Sequence, residues 1–166
     1  MVAAGRIVRS AAQAGLGAAL LGAGVGHLTT LRREFQAQVP NWVPIDADTV
    51  VVASGLAEIG LGTALLVTWR QPARAVVGAS AAAFFIAIFP GNIAQFVEGK
   101  DGFGLDTDLK RAARLPFQAV LVAWALAGTD AVGQWRRRSA TLGTDAGGAP
   151  PARPTTPSAA ANASSR

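Results

Sequence analysis

Cysteine is absent from the chain and histidine occurs once. The first absence removes disulfides, thiolate nucleophiles and cysteine-ligated metals together. A single histidine without cysteine cannot close a zinc site either. Any redox role must therefore use a borrowed cofactor. Charge is scarce as well: 15% of the 166 residues are charged, against about 25% in an ordinary soluble domain. The missing charges are missing in blocks. Between Arg9 and Arg32, Asp48 and Arg70, Arg74 and Glu98, and Arg114 and Asp130, Glu58 is the one unambiguous charge. Each block is a candidate membrane span, because a hydrocarbon core of about 30 Å needs roughly 17 to 25 apolar residues in a helix.

What is present is an apolar chain, 51% hydrophobic, with a formal charge of +5. The basic residues sit between the apolar blocks, without interleaved aromatics, which speaks for membrane topology and against nucleic acid. The expected architecture is all-α: an up-down bundle of four transmembrane helices over residues 1–138, with spans at about 10–30, 47–69, 73–96 and 115–133. The first is weakly hydrophobic and glycine-rich. A signal peptide is the competing reading of that segment, but the apolar run is too long for one and lacks a convincing cleavage site. Asp46 or Asp48 is placed to cap the second span, since a short acidic side chain accepts from first-turn amides and complements the helix dipole. Pro72 suits the start of the third, where a missing amide costs nothing. Pro90 and Gly91 are expected to break that helix near its far end. The fourth opens near Leu115 and Pro116, and Trp135 with Arg136, Arg137 and Arg138 closes it as an interfacial anchor. Residues 139–166 are Ala, Gly, Pro, Ser and Thr with few large apolar groups, and read as a disordered cytoplasmic tail.

Orientation follows from the basic residues. Arg6, Arg9, Arg70, Arg74 and Arg136 to Arg138 fall on one side, Arg32, Arg33, Lys100, Lys110, Arg111 and Arg114 on the other. The second group is offset by Glu98, Asp101, Asp106 and Asp108, so both termini are expected in the cytoplasm.

Glu58 stands at mid-span, where an ionised side chain costs roughly 2.5 to 3.5 kcal/mol and normally faces protein or water. Ser54, Glu58 and Gly62 are four apart on one helical stripe with small neighbours, so Glu58 is expected to point into the bundle. His27, at the outer end of the first span, follows Gly22, Gly24 and Gly26, which allow close approach of a neighbour. Alternating helices put Asn92, Gln95, Arg114 and Gln118 at the depth of His27, with Glu58 below. These residues are the candidate ligand-binding or proton-handling cluster, against the plainer reading of hydrogen bonds between helices. The loop Val39 to Pro44 presents Trp42 as an interfacial anchor. Gly102, Phe103 and Gly104 lack the strand, the spacing and the lysine of a phosphate loop. No nucleophile elbow, zincin or calcium-loop pattern occurs, and no internal repeat is visible.

The order of these features resembles the DoxX-like family of small four-helix membrane proteins. The resemblance rests on Gly26-His27, Val39-Pro40, Trp42-Val43-Pro44, Ser54-Gly55, Ala57-Glu58-Ile59-Gly60, Phe89-Pro90 with Asn92, and Arg114-Leu115-Pro116 with Gln118, and covers about residues 10–135. It implies a multi-pass protein of a prokaryotic plasma membrane, acting as an accessory subunit of a quinone-linked redox complex, with a membrane protein partner or a second copy. The cofactor stays open, a quinone that is bound rather than covalently attached being the one such a complex would use. The alternatives are a non-catalytic binding or assembly protein and a small transporter, the last disfavoured by four spans without an inverted repeat.

Overall fold

A computed structural model describes residues 2–147, with the side chains of 2–3 and 143–147 left out. It contains six helices: α1 (Val2–Leu28), α2 (Arg32–Gln36), α3 (Ala47–Val67), α4 (Ala73–Val97), α5 (Asp108–Thr129) and α6 (Ala131–Gly147). No strand occurs among the described residues. Three of the helices are long and apolar enough to cross a bilayer: α3, α4 and α5, with mean hydropathy 2.0, 1.8 and 1.2. Leu56, Val67, Val76, Ile86, Phe117 and Val120 are exposed on them, an apolar outer surface of the kind that lipid covers. α1 is longer than any of these but is not among them, because Gln13, His27 and its glycines dilute its leucines.

α1 packs along α3, α4 along α5, and α1 also touches α5. The core between them is Leu16, Leu20, Leu65, Ala81, Ala82, Phe85 and Ala125. At one end, Gln13 Nε2 donates to the Leu65 and Thr68 carbonyls at 2.7 and 2.8 Å, and Gln71 Nε2 donates to the Thr129 carbonyl at 2.8 Å. The other end carries the two long connections, and the cavity described below lies there.

Several expected boundaries move. The first helix begins at Val2 rather than near residue 10, its early turns carrying Arg6 and Arg9 exposed. Asp46 caps α3, accepting from the Thr49 amide at 3.0 Å. α4 is not broken: it runs to Val97 with Pro90 inside it. A proline removes one backbone bond, and the turns on either side hold the helix together. A side chain at Gly91 would stand 2.4 Å from the Gln38 carbonyl oxygen, so this glycine serves the approach of a loop rather than a break. The helix expected to open near Leu115 starts at Asp108, capped by Thr107, whose hydroxyl accepts from the Lys110 amide at 3.4 Å. Pro116 lies within it. It ends at Thr129, where Asp130 takes a left-handed conformation (φ 55°). Residues 139–147, assigned to the tail, are helical in α6, and the remainder of that tail lies outside the described residues.

Candidate functional site

The site begins with glycine contacts between α1 and α3. A Cβ at Gly24 would stand 2.6 Å from the Gly55 carbonyl oxygen, and one at Gly55 would stand 2.6 Å from the His27 Cβ. Backbone contact of this kind presses His27 against α3. Glu58, one turn after Gly55, meets it there. His27 Nδ1 lies 2.9 Å from Glu58 Oε2 and 2.9 Å from the Ala23 carbonyl oxygen. A carbonyl oxygen only accepts, so in the tautomer that bonds Ala23 the hydrogen is on Nδ1 and points there. Glu58 Oε2 is therefore close to the ring yet without a directed hydrogen bond, and it is buried. His27 and Glu58 are 4% and 5% exposed. A carboxyl group held this deep without full donors is costly.

What Glu58 faces is a cavity of about 450 Å³. Its walls come from four helices: Leu16, Leu20 and His27 of α1, Ser54 and Glu58 of α3, Phe85, Ile88 and Asn92 of α4, and Arg114, Gln118 and Leu121 of α5. Its roof comes from the connections, with Phe35, Gln38, Trp42 and Phe103. The volume and the apolar lining with few polar groups are those of a small-molecule site.

Six of the seven candidate residues lie on this cavity: His27, Ser54, Glu58, Asn92, Arg114 and Gln118. Their roles differ. Asn92 Nδ2 donates to Gln118 Oε1 at 3.0 Å, and Gln118 Nε2 donates to the Phe85 carbonyl, so this pair ties α4 to α5. Ser54 donates to the Val51 carbonyl of its own helix at 3.1 Å. Gln95 is not on the cavity. Because α4 continues through Pro90, Gln95 comes a turn beyond Asn92 and packs beneath Gly102, 1% exposed, with its amide 3.4 Å from the Lys100 carbonyl.

Three residues of the connections escaped the sequence reading. The Phe35 ring stacks on His27 with centroids 3.3 Å apart, and Phe103 meets Phe35 edge-on at 4.6 Å. The Arg114 guanidinium lies 5.1 Å from the Phe103 centroid, a cation–π distance. With its amide turned so that oxygen faces the guanidinium, Gln38 accepts from Arg114 at 2.9 and 3.0 Å. No carboxylate pairs with Arg114 among the described residues, whereas Arg111 on the same helix is paired with Asp101 and Asp108. The one available signal was Phe103 between two glycines: it has φ 56°, and its amide is held by the Glu34 carboxylate at 2.5 Å.

The roof is latched from outside. Lys100 Nζ lies 2.7 Å from Glu98 Oε2 and donates to the Val39 carbonyl at 2.7 Å, and Glu98 Oε1 accepts from the Asn41 amide at 3.2 Å. The Lys100 ammonium holds the Glu98 carboxyl below its usual range; partial burial opposes this and the Asn41 amide adds to it.

No group of three or more metal-ligating side chains occurs among the described residues. Residues 16–129, most of the chain, match the family model described as "Domain of unknown function (DUF8561)". No curated protein and no solved structure matches the chain.

Proposed function

The chain belongs to the DUF8561 family, and on that premise we propose that it is a four-span protein of a prokaryotic plasma membrane whose cavity holds a quinone-like molecule for a membrane redox partner. The observation that carries the reading is the apolar cavity on which a buried, under-bonded carboxyl group and an arginine without an acidic partner among the described residues converge. α1 is the fourth span in this reading: at about 1.5 Å per residue its 27 residues reach roughly 40 Å, and it follows α3 at backbone contact. The resemblance of the motifs to the DoxX-like family is what suggests this reading. Both termini are cytoplasmic, as a reporter active only in the cytoplasm and fused after Arg138 would show.

The residues present suit a quinone. Phe35, Phe103 and the leucines offer ring and chain contacts, and Arg114 offers donors to a carbonyl oxygen. A bound quinone would supply two-electron, two-proton redox chemistry. The chain's own residues orient it, exclude water, and give a proton a place to reside on the Glu58 and His27 pair. A purely assembling role explains Asn92 and Gln118, which bond one another, and Arg114, which holds Gln38 and Phe103, but leaves the under-bonded Glu58 without a purpose.

The test is purification from the native membrane in mild detergent, with extraction of quinone and identification of co-purifying proteins, followed by titration with a short-chain quinone. Arg114→Gln should weaken binding roughly tenfold or more, the usual worth of a hydrogen bond to a charged group. A preparation with neither quinone nor redox partner, and no binding in the titration, would overturn the proposal.

A further inference from the structure

The end of the bundle opposite the cavity is basic and carries a helix, α6, that touches α4 and α5 but leaves an apolar stripe open. α6 begins immediately after the left-handed Asp130, at the point where α5 leaves the bundle. Its apolar residues form one stripe: Val132, Trp135 and Leu142, with Ser139 between them, are spaced by three, four and three residues and so share a face. The stripe is open. Trp135 and Leu142 are each 72% exposed and Val132 41%. Arginines flank it on both sides, Arg136 four residues after Val132 and Arg138 four before Leu142. Arg137 falls on the opposite face, where it pairs with Asp130 at 2.7 Å.

Charge balance at this end points the same way. Asp130 is shared between Arg9 and Arg137. Arg6, Arg70, Arg136 and Arg138 have no carboxylate partner among the described residues. An apolar stripe with an aromatic, edged by unpaired arginines and attached to the end of a span, has the composition of a helix lying in the headgroup layer. Basic clusters next to a span attract anionic lipid.

We propose that α6 is an interfacial helix that lies on the bilayer surface and binds anionic phospholipid headgroups through Arg136 and Arg138. Val132, Trp135 and Leu142 sink into the acyl boundary, while Arg137 stays on the water side with Asp130. This site is separate from the cavity and does not depend on what the cavity binds.

Because the chain has no cysteine, single cysteines at Ser139→Cys and Thr141→Cys can carry a spin label in the full-length protein. Ser139 is on the stripe and Thr141 on the far side. In vesicles of phosphatidylcholine and phosphatidylglycerol, the label at 139 should relax with lipid-dissolved oxygen and the label at 141 with a water-soluble nickel chelate. Replacing phosphatidylglycerol by phosphatidylcholine should shift α6 toward its released state by roughly fivefold per arginine. The R136Q/R138Q variant should be indifferent to that exchange. Equal accessibility at the two positions, or the same accessibility in both vesicle types, would overturn the proposal. A nickel-accessible label at 139 in anionic vesicles, with a co-purifying protein protecting it, would assign the stripe to a protein partner and overturn it as well.

Discussion

The contact between His27 and Glu58 makes a specific demand on energetics. His27 fills space against Phe35 and lies against the buried Glu58 carboxyl group. His27→Ala removes both and strands the acid, so it should cost about 3 kcal/mol or more, as breaking a buried pair does. Glu58→Gln keeps the volume and replaces the carboxyl by an amide that cannot ionise, and should be neutral or stabilising. In the E58Q background the cost of H27A should fall by about 1 to 3 kcal/mol, the coupling typical of residues in contact. Unfolding in mixed micelles, followed by far-UV circular dichroism, gives the three differences, and additive costs would show that the pair does not interact. That Glu58 faces inward was legible from Ser54 and Gly62 on its stripe. Its arrangement with His27 was not, since the register between α1 and α3 depends on which glycines touch. Phe35 and Phe103 were out of reach for another reason: one lies in the five-residue α2 and the other in a loop, both too short for a period to tell which side a residue presents.

At the scale of the helices, glycine position decides more than glycine number. Gly22, Gly24 and Gly26 looked alike in the sequence, yet a side chain at Gly22 would meet nothing within 4 Å, while one at Gly24 would strike the Gly55 backbone at 2.6 Å. Gly24→Ala must push two helix backbones apart and should cost about 1 to 3 kcal/mol, as overpacking does. Gly22→Ala should stabilise slightly, because alanine is the better helix former by up to about 1 kcal/mol. The pair of variants, compared by thermal melting in the same detergent, tests the α1–α3 contact directly. Across α4 and α5, Gln118→Ala loses the bonds to Asn92 and Phe85 and should cost about 1 kcal/mol or more, since each interhelical bond within a bilayer averages about 0.6 kcal/mol. The spans of α3 and α4 were readable to within two residues because hydropathy changes sharply at Asp46 and Pro72. The start of α5 was not, because its first turns are polar. Pro116 looked like an opening residue, but the cap at Thr107 had already begun the helix. In α4 the proline signal was read as a break, whereas the neighbouring turns carry the helix across it.

For the molecule as a whole, the roof over the cavity is attached by few groups, and one of them titrates. Glu98 joins the end of α4 to the Asn41 amide and to Lys100, which in turn holds the Val39 carbonyl. Its carboxyl is held below the ordinary range, about 4.3, chiefly by Lys100, against an opposing contribution from partial burial. A carboxyl group whose folded value is depressed stabilises the folded arrangement above its unfolded value and loses that contribution as pH falls through the folded one. The latch should therefore be closed at neutral pH, begin to weaken below the ordinary carboxylate range, and open fully only at still lower pH. Salt should weaken it too, since the Glu98–Lys100 pair is partly exposed. Hydrogen exchange of residues 37–44 reads the effect: protection should drop on acidification within that window. Glu98→Gln should show the reduced protection already at pH 7, with little change in α3 or α5. Equal protection in E98Q and the parent across the whole range would mean that the roof is held by its other contacts, the Gln38–Arg114 bonds and the packing on Gly91 among them.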